Sequence, residues 1–286
     1  MLQEVHDLGF QWAELGHGTR ICLLPGILEA VESGLIRIST LHNFCPLPIG
    51  VTHAAPNLFQ FSSDDPRERD NAVRHTIKTL DFATRMRASL VVLHLGSIGI
   101  KDASDRLVEL VRKGQKDTPR YEKLCGEILE KREAKKQRYL DNAYHCLERL
   151  VPEAESRGLK LGIENRDGLN ELPLESDLLL LFREFTSPCV RYWHDTGHAQ
   201  VKENLGFIQH VMHLETYADR LGGFHIHDVK YPDRDHQPPG EGMIDYAALK
   251  PWVKRDAIKV FEFSPSTTVE EARTGVEHLK SIWGDE

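Results

Sequence analysis

Short apolar runs alternate along the chain with longer stretches in which apolar side chains recur every three or four positions. The short runs are typical of buried strands, and the longer stretches are typical of amphipathic helices. The pattern predicts seven strands, at residues 11–15, 35–41, 89–95, 159–164, 190–194, 222–227 and 258–263. It predicts helices at residues 69–86, 140–157, 175–185, 205–221 and 268–283.

Strands and helices alternate in this order, which is typical of βα units and a parallel sheet. The number of units and the length of 286 residues favour an α/β fold, a (β/α)8 TIM barrel, as a single domain over residues 1–286. The first of the eight strands is missing from the pattern, and we expect it upstream of Met1. A charged helical insertion is expected around residues 101–140, and we interpret it as a solvated helical face rather than a lid or a partner surface.

The composition of the chain limits which binding partners and which cellular compartment are expected. The net charge of −8 disfavours binding to the phosphate backbone of nucleic acid. The five cysteines show no CxxC spacing, which disfavours a disulfide framework or a thiolate zinc site and fits a cytoplasmic protein. No apolar run reaches the roughly 18 residues that a membrane span needs, and the N-terminus does not resemble a signal peptide. Assembly as a homo-oligomer is left open.

Most predicted strands end in a side chain that can bind a metal ion. In a parallel barrel these ends meet on one face, where carboxylates would repel one another unless a cation joined them. Carboxylate and imidazole ligands suit Mn, Mg, Co, Zn or Fe(II). The pattern therefore predicts a divalent metal ion of open identity near the strand-end residues His42, His94, Glu164, Asp195, His225 and Glu262.

Several of these strand ends carry longer motifs in a characteristic order. They are Ile-Glu-Asn at 163–165, Asp-Thr-Gly-His-Ala at 195–199, His-Ile-His-Asp at 225–228, Pro-Gly-Glu-Gly at 239–242 and Glu-Phe at 262–263. From about Gly9 to Trp283 the chain resembles the xylose-isomerase-like TIM-barrel superfamily of sugar isomerases and epimerases, which is related to the type IV apurinic endonucleases. The resemblance to the ketose epimerases implies one metal ion held by Glu164, Asp195, His225 and Glu262, with His225 rather than His227 as the ligand.

The same resemblance implies roles in catalysis. Glu164 and Glu262 would be the acid–base pair, and His198 would contact the substrate. The implied activity is that of an isomerase or epimerase that acts on a small, carbohydrate-like polyhydroxy carbonyl compound by proton abstraction through an enediolate. A metal-dependent dehydratase of a keto-sugar, keto-inositol or dehydroshikimate-type acid starts with the same proton removal, and the sequence does not separate the two.

The endonuclease branch of the superfamily binds more metal ions. His42, His94 and His236 fall where that branch has zinc-binding histidines, but Arg234 stands where it has an aspartate. Two interpretations stay open for the histidines His42, His94, His198 and His236. One is that they bind a second metal ion, and the other is that they have a substrate-binding or structural role. A zinc phosphodiesterase or apurinic endonuclease is therefore a third hypothesis.

Two basic residues follow the metal-binding motifs. Arg166 and Lys230 are candidates for fixing a substrate carboxylate, phosphate or hydroxyl, or for pairing with a neighbouring carboxylate. The substrate-binding arginine of the ketose epimerases falls on Tyr231 in this chain, which argues against a typical ketohexose pose.

Overall fold

A computed structural model describes residues 1–284. Its strands are β1 (Trp12–Leu15), β2 (Arg37–His42), β3 (Leu90–Leu93), β4 (Lys160–Glu164), β5 (Val190–Asp195), β6 (Leu221–Ile226), β7 (Asp228–Lys230), β8 (Arg234–Gln237) and β9 (Ile258–Phe261). Seven of them form one parallel sheet in the order β1-β2-β3-β4-β5-β6-β9. Each falls on one of the predicted runs, so the seven predicted strands and the α/β class are confirmed.

Helices connect the strands of this sheet. They are α1 (Leu2–Asp7), α2 (Leu24–Glu32), α3 (Pro66–Met86), α4 (Ser104–Arg112), α5 (Pro119–Ser156), α6 (Glu175–Glu184), α7 (Thr196–Asn204), α8 (His210–Tyr217), α9 (Tyr246–Leu249) and α10 (Val269–Trp283). The helix predicted at residues 205–221 is wrong in extent, because Gly206 adopts a φ of 80° and α8 begins only at His210. Among residues 1–284, no helix combines the length and the apolar character that crossing a membrane requires.

The chain divides into two compact units, of which the first comprises residues 1–97, 138–164 and 180–191. The first four strands lie side by side in this unit. All four side chains of β3 are buried, as expected for a parallel strand that is covered on both faces. The register pairs His42 with Val92 on β3 and Leu93 with Ile163 on β4, so these three strands end at a similar level.

The second compact unit comprises residues 98–137, 165–179 and 192–286. The register pairs Asp195 with His225 and Ile226 with Phe261, which brings the carboxyl ends of β5, β6 and β9 to one level. The antiparallel hairpin of β7 and β8 was not predicted. The buried Asp228 carboxylate supports the loop after this hairpin by accepting backbone N–H groups from Gly240, Gly242 and Ile244 at 2.9, 3.0 and 3.0 Å.

The charged insertion is helical, as predicted, and consists of α4 and the first part of α5. The interpretation of it as a solvated face is wrong for one side of these helices. Leu107, Leu110 and Ile128 are buried, and the Arg132 side chain is only 1% exposed. The Arg132 guanidinium donates to Asp177 at 2.7 Å and to the carbonyl oxygens of two residues in the loop after β4. The insertion thus anchors that loop.

Candidate metal centre

Three of the expected metal ligands lie together in the second unit. Asp195 is the last residue of β5, His225 lies on β6, and Glu262 directly follows β9, where its N–H donates to the carbonyl of Ile226 at 3.1 Å. His225 Nδ1 lies 3.3 Å from Glu262 Oε2 and 3.9 Å from Asp195 Oδ2. Asp195 and His225 are buried, whereas the Glu262 side chain is 34% exposed. Two carboxylates and an imidazole therefore converge, with one carboxylate open to a ligand.

His227 orients Asp195 through a contact with its carboxylate. The N–H of His236 donates to His227 Nδ1 at 2.9 Å, so this nitrogen carries no proton and Nε2 does. His227 Nε2 then donates to the Asp195 carboxylate, at 3.0 Å from Oδ1. A histidine that donates to a metal-ligating carboxylate fixes the orientation of that carboxylate. This arrangement agrees with the expectation that His225, rather than His227, is the ligand.

Gly197 leaves the space that the His227 ring occupies. A Cβ atom at this position would lie 2.0 Å from His227 Cε1. We expect Gly197→Ala to displace the ring and to lower the free energy of unfolding by about 1–3 kcal/mol, the usual cost of overpacking. Urea unfolding measures this cost. Gly26→Ala, which has no atom within 4 Å of its Cβ, is the matched control and should change stability by no more than about 1 kcal/mol. Equal effects of the two substitutions would contradict this account.

His198 lies on the first turn of α7, where its backbone N–H donates to Asp195 Oδ1 at 2.7 Å. Its Nδ1 lies 3.0 Å from the carbonyl oxygen of Asn165 and 3.4 Å from Arg166 Nη1. Arg166 also pairs with Glu171 at 3.2 Å. The structure therefore brings His198 and Arg166 together, and potential ligand atoms of His198, Asp167 and Asp235 lie within 4.8 Å of one another.

His236 lies next to His227 and Glu262. Its φ of 53° is left-handed, and its ring stacks on the His227 ring at 4.2 Å between centroids. Nδ1 lies 3.0 Å from Asp235, and Nε2 lies 3.8 Å from Glu262. Burial lowers the pKa of His236, but hydrogen bonds and attraction from the two carboxylates outweigh it and raise the pKa to about 10. The two carboxylates thus favour the protonated form of His236.

A cavity of about 440 Å³ adjoins His236 in the second unit. Lys230 lines it but is paired with Glu241 at 2.7 Å. A role of Lys230 in binding substrate stays a prediction. The cavity has mixed charge, and its lining includes Lys230, Arg234, His236, Glu241, Ser264 and Glu271.

The first unit holds a cluster of His42, His94 and Glu164. His42 Nδ1 lies 2.9 Å from the carbonyl oxygen of Asn43, and His94 Nδ1 lies 3.1 Å from Asn57 Oδ1. Neutral rings that donate to these oxygens carry no proton on Nε2. The two Nε2 atoms nevertheless lie 3.1 Å apart, and that of His94 lies 2.5 Å from Glu164 Oε2. These three buried acceptors, two imidazole nitrogens and one carboxylate oxygen, therefore need a proton or a cation between them. Ligands of these types fit a divalent ion.

Asn165 holds the backbone of Asp195 by two hydrogen bonds. It directly follows Glu164, and its amide Oδ1 accepts the N–H of Asp195 at 2.7 Å while its Nδ2 donates to the Asp195 carbonyl at 3.0 Å. Sequence reasoning missed Asn165 and His227 as supports of the site. The Glu-Asn and His-Ile-His-Asp motifs contained both residues, but only tertiary contacts over about 30 positions define their roles.

The family described as xylose isomerase-like TIM barrel matches residues 2–282, and the chain belongs to this family. The chain is also similar to the uncharacterized protein y4fM of Sinorhizobium fredii (strain NBRC 101917 / NGR234), with 28% identity over 218 residues. That match covers 76% of this chain, and the chain spans 58% of the length of that relative.

Solved structures of a sugar epimerase and of an epimerase-like protein share the fold. A D-tagatose 3-epimerase-like protein has a TM-score of 0.67 and 19% identity, with 98% of this chain and 91% of that chain covered. A D-psicose 3-epimerase, in a crystal structure determined in the presence of D-fructose, has a TM-score of 0.68 and 15% identity, with 99% of this chain and 92% of that chain covered. At these identities the similarity establishes the fold.

Proposed function

We propose that the protein is a divalent-metal-dependent sugar isomerase or epimerase that acts on a small polyhydroxy carbonyl compound. The observation that carries this proposal is the convergence of Asp195, His225 and Glu262 at three neighbouring strand ends. Glu164 is the last residue of β4 and is the fourth ligand in the proposal, as the family resemblance implies. The donor set fits Mn, Mg, Co or Zn. The similarity to a D-psicose 3-epimerase and to a D-tagatose 3-epimerase-like protein supports the reaction class.

The protein's own groups supply the proton transfer. A bound divalent ion would polarise the substrate carbonyl and stabilise negative charge on its oxygen. Glu262 is partly exposed, lies beside His225 and His236, and is the carboxylate to which we assign removal of the proton next to the carbonyl. Glu164 acts as the partner acid or base. Proton return to the opposite face of the resulting enediolate gives an epimer.

Polar groups beside the ligands orient the substrate in this proposal. His198 and Arg166 lie 3.4 Å apart, and both donate to oxygen atoms. Arg166 is held by Glu171, so its planar group is fixed for binding a hydroxyl or carboxylate. We therefore assign to His198 and Arg166 the binding of substrate oxygens rather than the removal of the proton.

A panel of ketoses and keto-acids tests the reaction class. The Mn²⁺-loaded protein is incubated with each compound in D₂O, and the products are analysed by NMR and mass. The proposal predicts a new epimer or isomer of unchanged formula apart from deuterium at the reacting carbon. A product that has lost water would instead identify the dehydratase.

The His42, His94 and Glu164 cluster favours a second candidate, a zinc phosphodiesterase. If a cation rather than a proton joins these three acceptors, the protein holds more than one metal ion, as phosphodiester hydrolysis uses. Incubation of the zinc-loaded protein with a duplex that contains an abasic site tests this candidate. We expect no cleavage, because Arg234 replaces the aspartate of that branch and the net charge is −8. Strand cleavage would favour the second candidate.

A further inference from the structure

The cavity that adjoins His236 has no part in the proposed proton transfer. Its volume of about 440 Å³ lies within the range of about 300–1,000 Å³ that is typical of sites for small molecules. Among the described residues that line it, none is a proposed metal ligand. A ketose whose reacting carbons are held at the metal ion therefore leaves this space for a further part of the substrate.

His236 lies between this cavity and the metal centre. Its side chain lines the cavity, and its Nε2 lies 3.8 Å from Glu262 Oε1. The backbone joins the two places as well, because Ser264 lines the cavity only two positions after Glu262. The N–H of Ser264 donates to the carbonyl oxygen of His236 at 3.0 Å. A group attached to a metal-bound substrate therefore has to pass only one side chain to reach the cavity.

Hydrogen bonds and close packing fix the walls of the cavity. The Ser264 hydroxyl oxygen accepts the N–H of Ser266 at 3.3 Å and lies 2.8 Å from the Ser266 hydroxyl oxygen. Helix α10 lies so close to the wall residue Pro238 that a Cβ atom at Gly275 would be 2.8 Å from Pro238 Cβ. A cavity with fixed walls needs little reordering to bind a ligand, which favours affinity.

The charges of the lining do not favour an anion. Three carboxylates line the cavity, on Asp235, Glu241 and Glu271, against the two basic side chains of Lys230 and Arg234. The lining therefore carries a net charge of −1 when its one histidine is neutral and of zero when that histidine is protonated. A phosphate or carboxylate on the substrate gains no net attraction from such a lining.

The lining offers both donors and acceptors of hydrogen bonds. Lys230 Nζ donates to Glu241 Oε2 at 2.7 Å, and Glu271 Oε2 accepts the N–H and the hydroxyl of Thr268, both at 2.7 Å. A carboxylate has more acceptor sites than these bonds use, so Glu241 and Glu271 can still accept from a ligand. The exposed Arg234 has no ion-pair partner among residues 1–284, so its guanidinium can donate to one.

We propose that the substrate is a glycosylated ketose, in which the reacting unit carries a second, uncharged sugar ring that binds in the cavity beside His236. Each sugar hydroxyl both donates and accepts hydrogen bonds, which suits a lining that offers both without surplus positive charge. The lining residues Pro238 and Pro265 add apolar surface for the C–H groups of the ring. This inference rests on the proposed function, which places the reacting unit at the metal ion.

Isothermal titration calorimetry of the Mn²⁺-loaded protein measures what the second ring contributes to affinity. The probes are D-fructose and its glucosyl derivatives linked through O3, O4, O5 or O6, each of which keeps the ketose unit. We expect at least one derivative to bind about tenfold more tightly than D-fructose, which is the gain from one hydrogen bond to a charged group. D-fructose 6-phosphate, which adds charge instead of a ring, should show no such gain.

Two substitutions test whether the cavity holds the second ring. Thr267→Trp fills the space, because Thr267 is half-buried and lines the cavity, and it should bring the affinity for the preferred derivative down to that for D-fructose. Arg234→Met keeps the length of the side chain but removes a donor, and it should weaken binding of that derivative by about tenfold. The matched controls are Thr274→Trp and Arg273→Met, at exposed positions of α10 outside the cavity. Both should keep the wild-type preference.

The inference is overturned if no glucosyl derivative binds more tightly than D-fructose, or if the preference survives both Thr267→Trp and Arg234→Met. Tighter binding of D-fructose 6-phosphate, with no gain for any glucosyl derivative, would overturn it in favour of an anionic substrate. Turnover of the same compounds, measured in parallel, separates the inference from the proposed function. Turnover of D-fructose without a preference for any derivative would overturn the inference alone. Tighter binding of a derivative with no turnover of any compound would contradict the proposed function, although the cavity would still bind the second ring.

Discussion

Glu262→Gln should lower turnover by about 10²–10⁴-fold, the usual contribution of a general acid–base group. The amide has nearly the same shape as the carboxylate but cannot accept the substrate proton. Glu164→Gln should have an effect of the same size if the two carboxylates act as a pair. Turnover and the exchange of substrate hydrogen with D₂O, both measured on the substrate found in the ketose panel, report the loss directly.

The matched control for these substitutions is Glu148→Gln. Glu148 lies on α5 with a side chain that is 59% exposed, and it lies 3.2 Å from the exposed His145. It should keep wild-type turnover. Proton exchange that continues at the wild-type rate in Glu262→Gln would rule out Glu262 as the base.

Asp177→Ala should lower the free energy of unfolding by about 3–5 kcal/mol, because it leaves a buried cation without its partner. Asp177 is 0% exposed and accepts from Arg132 at 2.7 Å and from Lys136 at 2.8 Å. It also accepts the N–H of Leu174 at 3.0 Å, which ends the loop that carries Arg166. Urea unfolding of the purified variant measures the loss.

Asp70→Ala is the control for that measurement. Asp70 pairs with Arg149 at 2.7 Å, but both side chains are exposed, and such pairs contribute no more than about 1 kcal/mol. A similar loss in Asp70→Ala and Asp177→Ala would contradict a special role for the buried pair. A loss confined to Asp177→Ala would confirm that the charged insertion stabilises the loop after β4.

Local patterns were sufficient to predict the parallel sheet. Most of its strands contain an apolar run that ends at a polar residue, as in the run Leu161–Gly162–Ile163 before Glu164. Because parallel strands bring their carboxyl ends to one level, the same pattern predicted that Asp195, His225 and Glu262 would meet. The choice of His225 over His227 came from the family resemblance, and the hydrogen bonds of His227 agree with it.

Elements that depend on distant contacts could not be predicted in this way. The β7–β8 hairpin has polar strands, with no apolar run to mark them. The charge of Arg132 made its side of the insertion look solvated in the sequence. Asp177, which neutralises this charge, lies 45 positions further along the chain, so no local pattern indicates the pair. The hydrogen bond from the Tyr192 hydroxyl to Asn165 likewise joins residues 27 positions apart, which no local pattern relates.

Elemental analysis of bound metal per chain tests the central claim most directly. The wild type, His225→Ala and His94→Ala are purified alike, incubated with Mn²⁺ and freed of excess metal. The account predicts about one equivalent in the wild type and in His94→Ala, and loss of the ion in His225→Ala, because a divalent ion needs its full set of protein ligands. Two or more equivalents of metal in the wild type, with fewer in His94→Ala, would favour the phosphodiesterase. Metal retained in full by His225→Ala would contradict the proposed site.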